Sequence, residues 1–278
     1  MEMQPGIVYE NTVSGQFLRR LNRFTAEVRV DGRTELVHVK NTGRLGELLL
    51  PEAEVTLQRT DSPARKTGFD LISVYRPGLE WVNIDSLAPN ALMKQYLEGE
   101  GYDLVKPEYT WGDSRFDFYM ERGGERYLTE VKGCTLAAGL EMAEVKGCTL
   151  AADLEKAGSK DVAPAADPAE TVGLFPDAPT ERGVKHLNEL AAAAGEGIHC
   201  TIAFVIQMNG IHVVLPNDGT QPKFGQALAR AAKAGVRIAY YGCRVEADSI
   251  RITGGQIGFP IGDMAFPIGK NAEVRVSH

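Results

Sequence analysis

The residues best able to do chemistry lie in the stretch from Arg115 to Lys132, RFDFYMERGGERYLTEVK. Gly123-Gly124 is a two-residue hairpin turn signal. Pairing outward from it sets Arg122 against Glu125 and Asp117 against Glu130. Strand alternation then puts Phe116, Phe118 and Met120 on one face with Tyr127, Thr129 and Val131, and Asp117, Glu130 and Lys132 on the other. Opposed carboxylates repel, and a cation held between them reverses that sign. One or two carboxylates, completed by water and phosphate oxygens, suit Mg²⁺. A neighbouring lysine can stabilise a pentavalent phosphate or orient the attacking water. The trio fits a D…(D/E)xK site for phosphodiester hydrolysis, with Asp117, Glu130 and Lys132 catalytic and the two carboxylates holding Mg²⁺ or Mn²⁺. Ordinary solvated charges on an outer hairpin face would give the same residues.

The elements around this hairpin fall into two groups. Residues 24–84 read as all-β: Phe24–Val30, an Asp31-Gly32 turn, Thr34–Val39, Glu54–Gln58, Phe69–Tyr75 and Glu80–Ile84. Short strands at this density suit a small closed barrel such as the OB-fold, which serves nucleic-acid binding in many proteins. From Ser86 the pattern becomes helical to Glu98, then gives strands at Glu108–Trp111, Arg115–Met120 and Arg126–Lys132. A helix at Glu181–Ala194, a strand at Cys200–Gln207, a helix at Gln221–Ala234 and a strand at Val236–Tyr241 complete a mixed α/β domain. The expectation is a two-domain α+β chain: barrel over 1–84, α/β domain over 85–252, and a Gly- and Pro-rich loose tail over 253–278.

Residues 130–143 are repeated in register at 144–157, with 12 of 14 positions identical. One repetition of so short a unit is a local tandem duplication, not a solenoid. An Ala- and Pro-rich stretch follows, so the duplicated and flexible insert spans about 140–172. The duplication offers a second ExK at Glu144 and Lys146. The first copy is preferred, because Asp117 and Glu130 share a tight hairpin and Tyr127–Thr129 leads into it.

Bulk properties exclude several classes. A formal net charge of −7 over 278 residues argues against a simple basic DNA-coating protein. The acidity lies beyond residue 82, since residues 1–82 carry 11 basic and 11 acidic side chains. Four scattered cysteines without a CxxC pair give neither a disulfide framework nor a zinc site. There is no membrane-length apolar run and no secretory leader pattern, so a cytoplasmic location and no membrane partner are expected.

Several stretches are similar to one known family: 17–24 (FLRRLNRF), 41–48 (NTGRLGEL), 65–67, Ser114–Phe118, Glu130–Lys132 and the long 175–187 (FPDAPTERGVKHL). On these residues the chain resembles the sugar fermentation stimulation protein A family over nearly its whole length, apart from the insert and the tail. The resemblance implies an N-terminal OB-like domain, a C-terminal restriction-endonuclease-like PD-(D/E)XK domain, sequence-nonspecific DNA binding and a link to sugar (maltose) metabolism. Duplex DNA is the expected partner; the oligomeric state is left open, a homodimer included. Two departures stand out. Gln95 occupies the place where the family has a glutamate in the first helix of the nuclease-like domain. The segment after the ExK is longer by roughly 30 residues, which a surface loop absorbs at modest entropic cost.

Phosphate contacts are assigned to Arg19, Arg20 and Arg23, expected before the first strand, to Arg44 and Lys66 in barrel loops, and to Arg182 and Lys185 on the helix after the FPDAPT motif. Each could equally be a solvated surface charge. In that helix Thr180 is the expected N-cap, and Val184, Leu187, Leu190 and Ala191 the buried stripe. Glu181, Arg182, Lys185 and His186 are then off the core, with His186 either beside a phosphate or exposed. Asp177 caps or orients. Trp81 and Trp111 read as core or barrel-lid aromatics.

Overall fold

The computed structural model describes residues 5–60, 65–139 and 171–258. The second ExK copy (Glu144, Lys146), Cys148, most of the insert and residues 259–278 lie outside them.

Five strands close the barrel: β2 (Thr12–Arg20), β3 (Thr25–Val30), β4 (Arg33–Val39), β5 (Glu54–Arg59) and β6 (Phe69–Arg76). The strand order is β4-β3-β2-β5-β6, and a parallel β4–β6 pairing closes the ring. β7 (Glu80–Asn83) is appended to β6. The count of five is as expected but its membership is not: the fifth barrel strand is β2, and β7 stands outside the ring. β2 escapes a hydrophobic reading because its sequence, TVSGQFLRR, is mostly polar and interrupted by Gly15. That glycine is there for space, since a Cβ on it would lie 2.6 Å from Val28 Cγ1 on β3. Arg19 and Arg20 therefore end a strand, and do not precede one.

The second domain is a seven-stranded mixed sheet in the order β1-β16-β15-β13-β10-β9-β8. Its strands are β1 (Gly6–Val8), β8 (Leu104–Trp111), β9 (Ser114–Arg122), β10 (Glu125–Cys134), β13 (His199–Ile206), β15 (Arg237–Glu246) and β16 (Ser249–Gly258). β10, β13 and β15 are parallel, and the outer pairings are antiparallel. A small sheet of β11 (Leu136–Gly139), β12 (Thr171–Phe175) and β14 (Val214–Pro216) flanks it. Two expected boundaries are corrected. Residues 6–8 are an edge strand of this second sheet, not part of the barrel. The supposed tail is strand as far as Gly258, pairing with β15. Gly254 and Gly255 read as a breaker, yet Tyr241 stands opposite Gly255 and lays its ring where a Cβ would be, 2.9 Å away.

Helix α1 (Ala88–Gly99) covers one face of the sheet with Ala88, Leu92, Met93 and Leu97, packed on Phe118, Met120, Val131, Ala203 and Val205. Helices α2 (Glu181–Gly195) and α3 (Pro222–Lys233) cover the other, where Leu187, Leu190, Phe224 and Leu228 meet Leu128, Ile202, Phe204 and Ile206. This second core runs without a break into the barrel interior. Among the described residues no helix is long and apolar enough to cross a membrane.

A buried polar junction fixes the two domains. The Asp85 carboxylate accepts from Lys40 Nζ at 2.6 Å and from the Leu87 amide at 3.0 Å. Gln207 Nε2, at the end of β13, donates to Asn83 Oδ1 at 2.9 Å and to the Asp85 carbonyl at 3.0 Å. Gly133 lets α1 approach, because a Cβ there would sit 2.8 Å from Pro89 Cγ and 2.4 Å from Gln207 Oε1. The barrel loop that faces the second domain hangs on Arg20. Its guanidinium donates to the carbonyls of Gly43 (2.6 Å), Asn41 (2.7 Å), Arg44 and Arg23 (both 2.9 Å) and Asn22 (3.1 Å). All five N–H donors of the fork are thereby used.

Arg20→Met strips those carbonyls of their partner and should cost about 2–4 kcal/mol of stability. Arg19→Ala, removing an exposed pair with Glu27, should leave stability unchanged. Urea unfolding of both variants checks the contrast; equal midpoints would refute the role given to Arg20.

Candidate metal site at the β9–β10 hairpin

The hairpin forms in the expected register from the turn outward, with Arg122 opposite Glu125, Met120 opposite Tyr127 and Phe118 opposite Thr129, but it stops short of the expected Asp117–Glu130 pair. The ladder ends there. The next rung would join Phe116 to Val131, but the Val131 amide donates instead to Asp117 Oδ2 at 2.7 Å. Asp117 Oδ1 accepts from Asn90 Nδ2, in the first turn of α1, at 2.8 Å. The carboxylate thus fills the fork where β9 leaves β10. The strict alternation expected for β9 fails at this point. Phe116 packs in the core under α2, its ring 5.6 Å from the His186 ring, while Phe118 and Met120 pack under α1.

Glu130 is 3% exposed. It stands on β10 facing α2, and its Oε1 accepts from Lys132 Nζ and from His186 Nδ1. Its Oε2 is buried without a hydrogen-bond partner among the described residues. His186, expected off the core, is 4% exposed. Its other nitrogen, Nε2, receives the Arg182 Nε–H at 3.3 Å. A guanidinium only donates, so Nε2 is the acceptor and the proton of this ring sits on Nδ1, toward Glu130. The side chains form a line: Arg182, His186, Glu130, Lys132.

The two carboxylates are driven in opposite directions. Burial raises the Asp117 pKa most, and the Glu130 charge raises it further against the opposing pull of Lys132, the Val131 amide and Asn90. Burial also acts to raise Glu130, but the bonds from His186 and Lys132 outweigh it and hold the group below the usual carboxylate range. Added positive charge beside Asp117 would relieve the repulsion between them.

These groups fit a hard divalent cation. Oε2 is a buried anionic acceptor with no donor among the described residues, and the donor set is carboxylate oxygen. Among the described residues no group of three or more His, Cys, Asp or Glu side chains could hold a metal ion. A carboxylate pair would leave the remaining positions to water and phosphate, as Mg²⁺ and Mn²⁺ sites do.

The other candidates scatter. Gln95 lies about 140° around α1 from Asn90 and about 7.5 Å along it. Its Oε1 accepts from the Gly6 amide (2.9 Å) and its Nε2 donates to the Gly6 carbonyl (3.2 Å), pinning β1. It takes no part in the site. Arg20 is consumed by the barrel loop. Arg19 is exposed but paired with Glu27. Arg23, Arg44 and Lys66 are exposed. Lys185 donates to the Asp113 carbonyl (3.0 Å) and so ties α2 to the β8–β9 turn. Asp177 Oδ2 accepts from the Arg44 amide (3.1 Å), joining the FPDAPT loop to the barrel. Thr180 is the N-cap foreseen, accepting from the Gly183 amide at 3.0 Å. Glu181 accepts from Gln221 Nε2 at 3.0 Å, joining α2 to the start of α3. Asn90 was overlooked as a site residue. His186 was named without its partner, although its four-residue spacing from Arg182 sets both on one helix face.

A cleft of about 320 Å³ opens beside the site, between the barrel loop Asn41–Gly43 and the FPDAPT loop. Gly133 and Pro89, the neighbours of Lys132 and Asn90, line its floor, and Arg23 also borders it.

Comparison with known proteins places this geometry in a family. The profile described as "SfsA N-terminal OB domain" matches residues 18–84. The profile described as "Sugar fermentation stimulation protein RE domain" matches 85–143 and 140–249, two segments meeting in the duplicated region. A sugar fermentation stimulation protein homolog of Desulfitobacterium hafniense (strain DSM 10664 / DCB-2) is 44% identical over 234 residues, 83% of this chain and 88% of that protein. Its counterpart in Ruminiclostridium cellulolyticum is 41% identical over 234 residues, 83% and 89% of the two chains. The solved structure of Pyrococcus furiosus SfsA in complex with Ca²⁺ superposes with a TM-score of 0.71 at 25% identity, covering 91% of this chain and 97% of that one. On barrel, mixed α/β domain and sequence together, the chain belongs to the sugar fermentation stimulation protein family.

Proposed function

We propose that this protein binds DNA without sequence preference and hydrolyses phosphodiester bonds at Asp117, Glu130 and Lys132 with a divalent cation, as a PD-(D/E)XK-type nuclease. The observation that carries the reading is the buried Glu130 Oε2, without a partner among the described residues, beside a second carboxylate whose pKa the Glu130 charge raises. The Pyrococcus furiosus relative was solved with Ca²⁺, a cation that takes the same oxygen ligands.

When bound, Mg²⁺ or Mn²⁺ would supply Lewis-acid stabilisation of the phosphoryl oxygens. The protein groups do the rest. Asp117 is held by Asn90 and the Val131 amide, so its carboxylate is set before substrate arrives. Lys132 gives one N–H to Glu130, which leaves donors for a phosphate oxygen and for the attacking water. Water adds to phosphorus and gives up a proton, the bond to the leaving oxygen breaks, and that oxygen takes up a proton in return. Lys132 balances the charge that develops on the phosphate. Arg23 beside the cleft, with Arg44 and Lys66 on the barrel, would follow the phosphate backbone.

A second reading, a non-catalytic DNA-binding regulator of sugar (maltose) metabolism, is favoured by one observation: Gln95, in the family's glutamate position, is bound to β1, so any cation would have only two protein carboxylates. Calorimetry with Mn²⁺ separates the readings, since a regulator without a metal site gives no heat of binding at millimolar Mn²⁺.

Three outcomes are expected. Lys132→Ala should slow Mg²⁺-dependent plasmid cleavage by about 10²–10³-fold while DNA affinity in EDTA stays the same. Cleavage that persists in EDTA, or in the variant, would remove the nuclease assignment. Arg23→Ala and Arg44→Ala should each weaken binding of any duplex alike and shallow its log–log salt slope by about 1; an unchanged slope takes that residue out of the interface. Gln95→Glu cannot donate to the Gly6 carbonyl, so it should lose about 1 kcal/mol of stability with no gain in Mn²⁺ affinity. A tighter Mn²⁺ isotherm would show that position 95 belongs to the metal site after all.

A further inference from the structure

Glu130 has two carboxylate oxygens with different surroundings. Oε1 carries both hydrogen bonds, from Lys132 and His186, and Oε2 carries none among the described residues. Lys132 is a flexible donor that a substrate phosphate can draw away. His186 is not: it is 4% exposed and its ring packs against Phe116. The imidazole is also fixed in tautomer, because Arg182 fills its Nε2 with a hydrogen bond from Nε. Arg182 itself is exposed on the first turn of α2. Its Nε is turned inward to His186, and among the described residues its two Nη groups have no hydrogen-bond partner, so the fork can meet a phosphate from solvent.

We infer that His186 is a positioning residue for the cation site, holding Glu130 by Oε1 so that Oε2 is the ligating oxygen, and that Arg182 locks the imidazole tautomer that does so. The inference rests on the metal-site reading above and adds two residues that touch neither cation nor reacting atoms. It also links the site to its substrate. A phosphate engaging the outer nitrogens of Arg182 stiffens the same side chain that sets His186, so nucleic acid and cation favour each other's binding. Hydrogen bonds of this kind to a ligating carboxylate commonly govern metal affinity by one to two orders of magnitude.

The test is Mn²⁺ binding to the intact protein without nucleic acid, followed by calorimetry and by Mn²⁺ electron paramagnetic resonance. His186→Leu removes the donor to Oε1 and should weaken Mn²⁺ about 10–100-fold. His186→Asn keeps an N–H near the Nδ1 position and should bind within about threefold of wild type. Wild-type affinity in His186→Leu, or an equally large loss in both variants with folding intact by circular dichroism, overturns the inference while leaving the metal site standing. No Mn²⁺ binding by the wild type overturns the metal-site reading, and this inference with it. A measurement on the unaltered chain covers the case of a misfolded variant: long-range ¹H–¹⁵N spectra should place the His186 proton on Nδ1, and a proton on Nε2 contradicts the lock.

Discussion

A buried carboxylate with one oxygen bound twice and the other, among the described residues, bound to nothing is the interaction around which the second domain is arranged. Glu130 sits in a strand paired on one side with β13, is sealed by α2 above, and still carries charge held by His186 and Lys132. Burying an anion this deeply is unfavourable unless partners compensate. His186 and Lys132 supply that compensation, and the features around them set the second carboxylate. The strand pair opens at Asp117, α1 brings Asn90 to the opening, and Gly133 lets α1 come close enough to do so.

The barrel contributes position more than chemistry. Its loop Asn41–Arg44 is held rigid by Arg20 and held to the second domain by Asp177. The linker between domains is fixed by Asp85 and Gln207, both buried and satisfied. Gly43 shows how tight the joint is, since a Cβ there would fall 2.2 Å from Asp177 Oδ2. The cleft between the domains therefore has walls with few degrees of freedom, the rigidity that the proposed phosphodiester hydrolysis would call for.

Much of this was legible in the residues, and the failures have physical causes. Hairpin register followed from Gly123-Gly124, because a two-residue turn leaves no freedom in pairing. The three helices followed from apolar spacing, and Thr180 from cap chemistry. β2 and the whole of β16 were missed, and at Gly15 and Gly255 the missing atoms are supplied across the strand by Val28 and Tyr241. The alternation of β9 was read through Phe116 as if the ladder continued, but a side-chain carboxylate took the place of a backbone rung, and no periodicity signals that. Arg20 looked like a phosphate contact because an arginine in a basic cluster does not announce that its partners are backbone carbonyls, three of them 21 to 24 residues along the chain. His186 was excluded from the core by helical counting, and a buried carboxylate drew it in.

The most direct measurement of the central claim is anomalous diffraction from a crystal of the protein grown with Mn²⁺. A peak within ligand distance of Glu130 Oε2 and of the Asp117 carboxylate, with His186 remaining on Oε1, is the result the account predicts. A peak elsewhere, or fully occupied Mn²⁺ bound through Oε1 with His186 displaced, would contradict it.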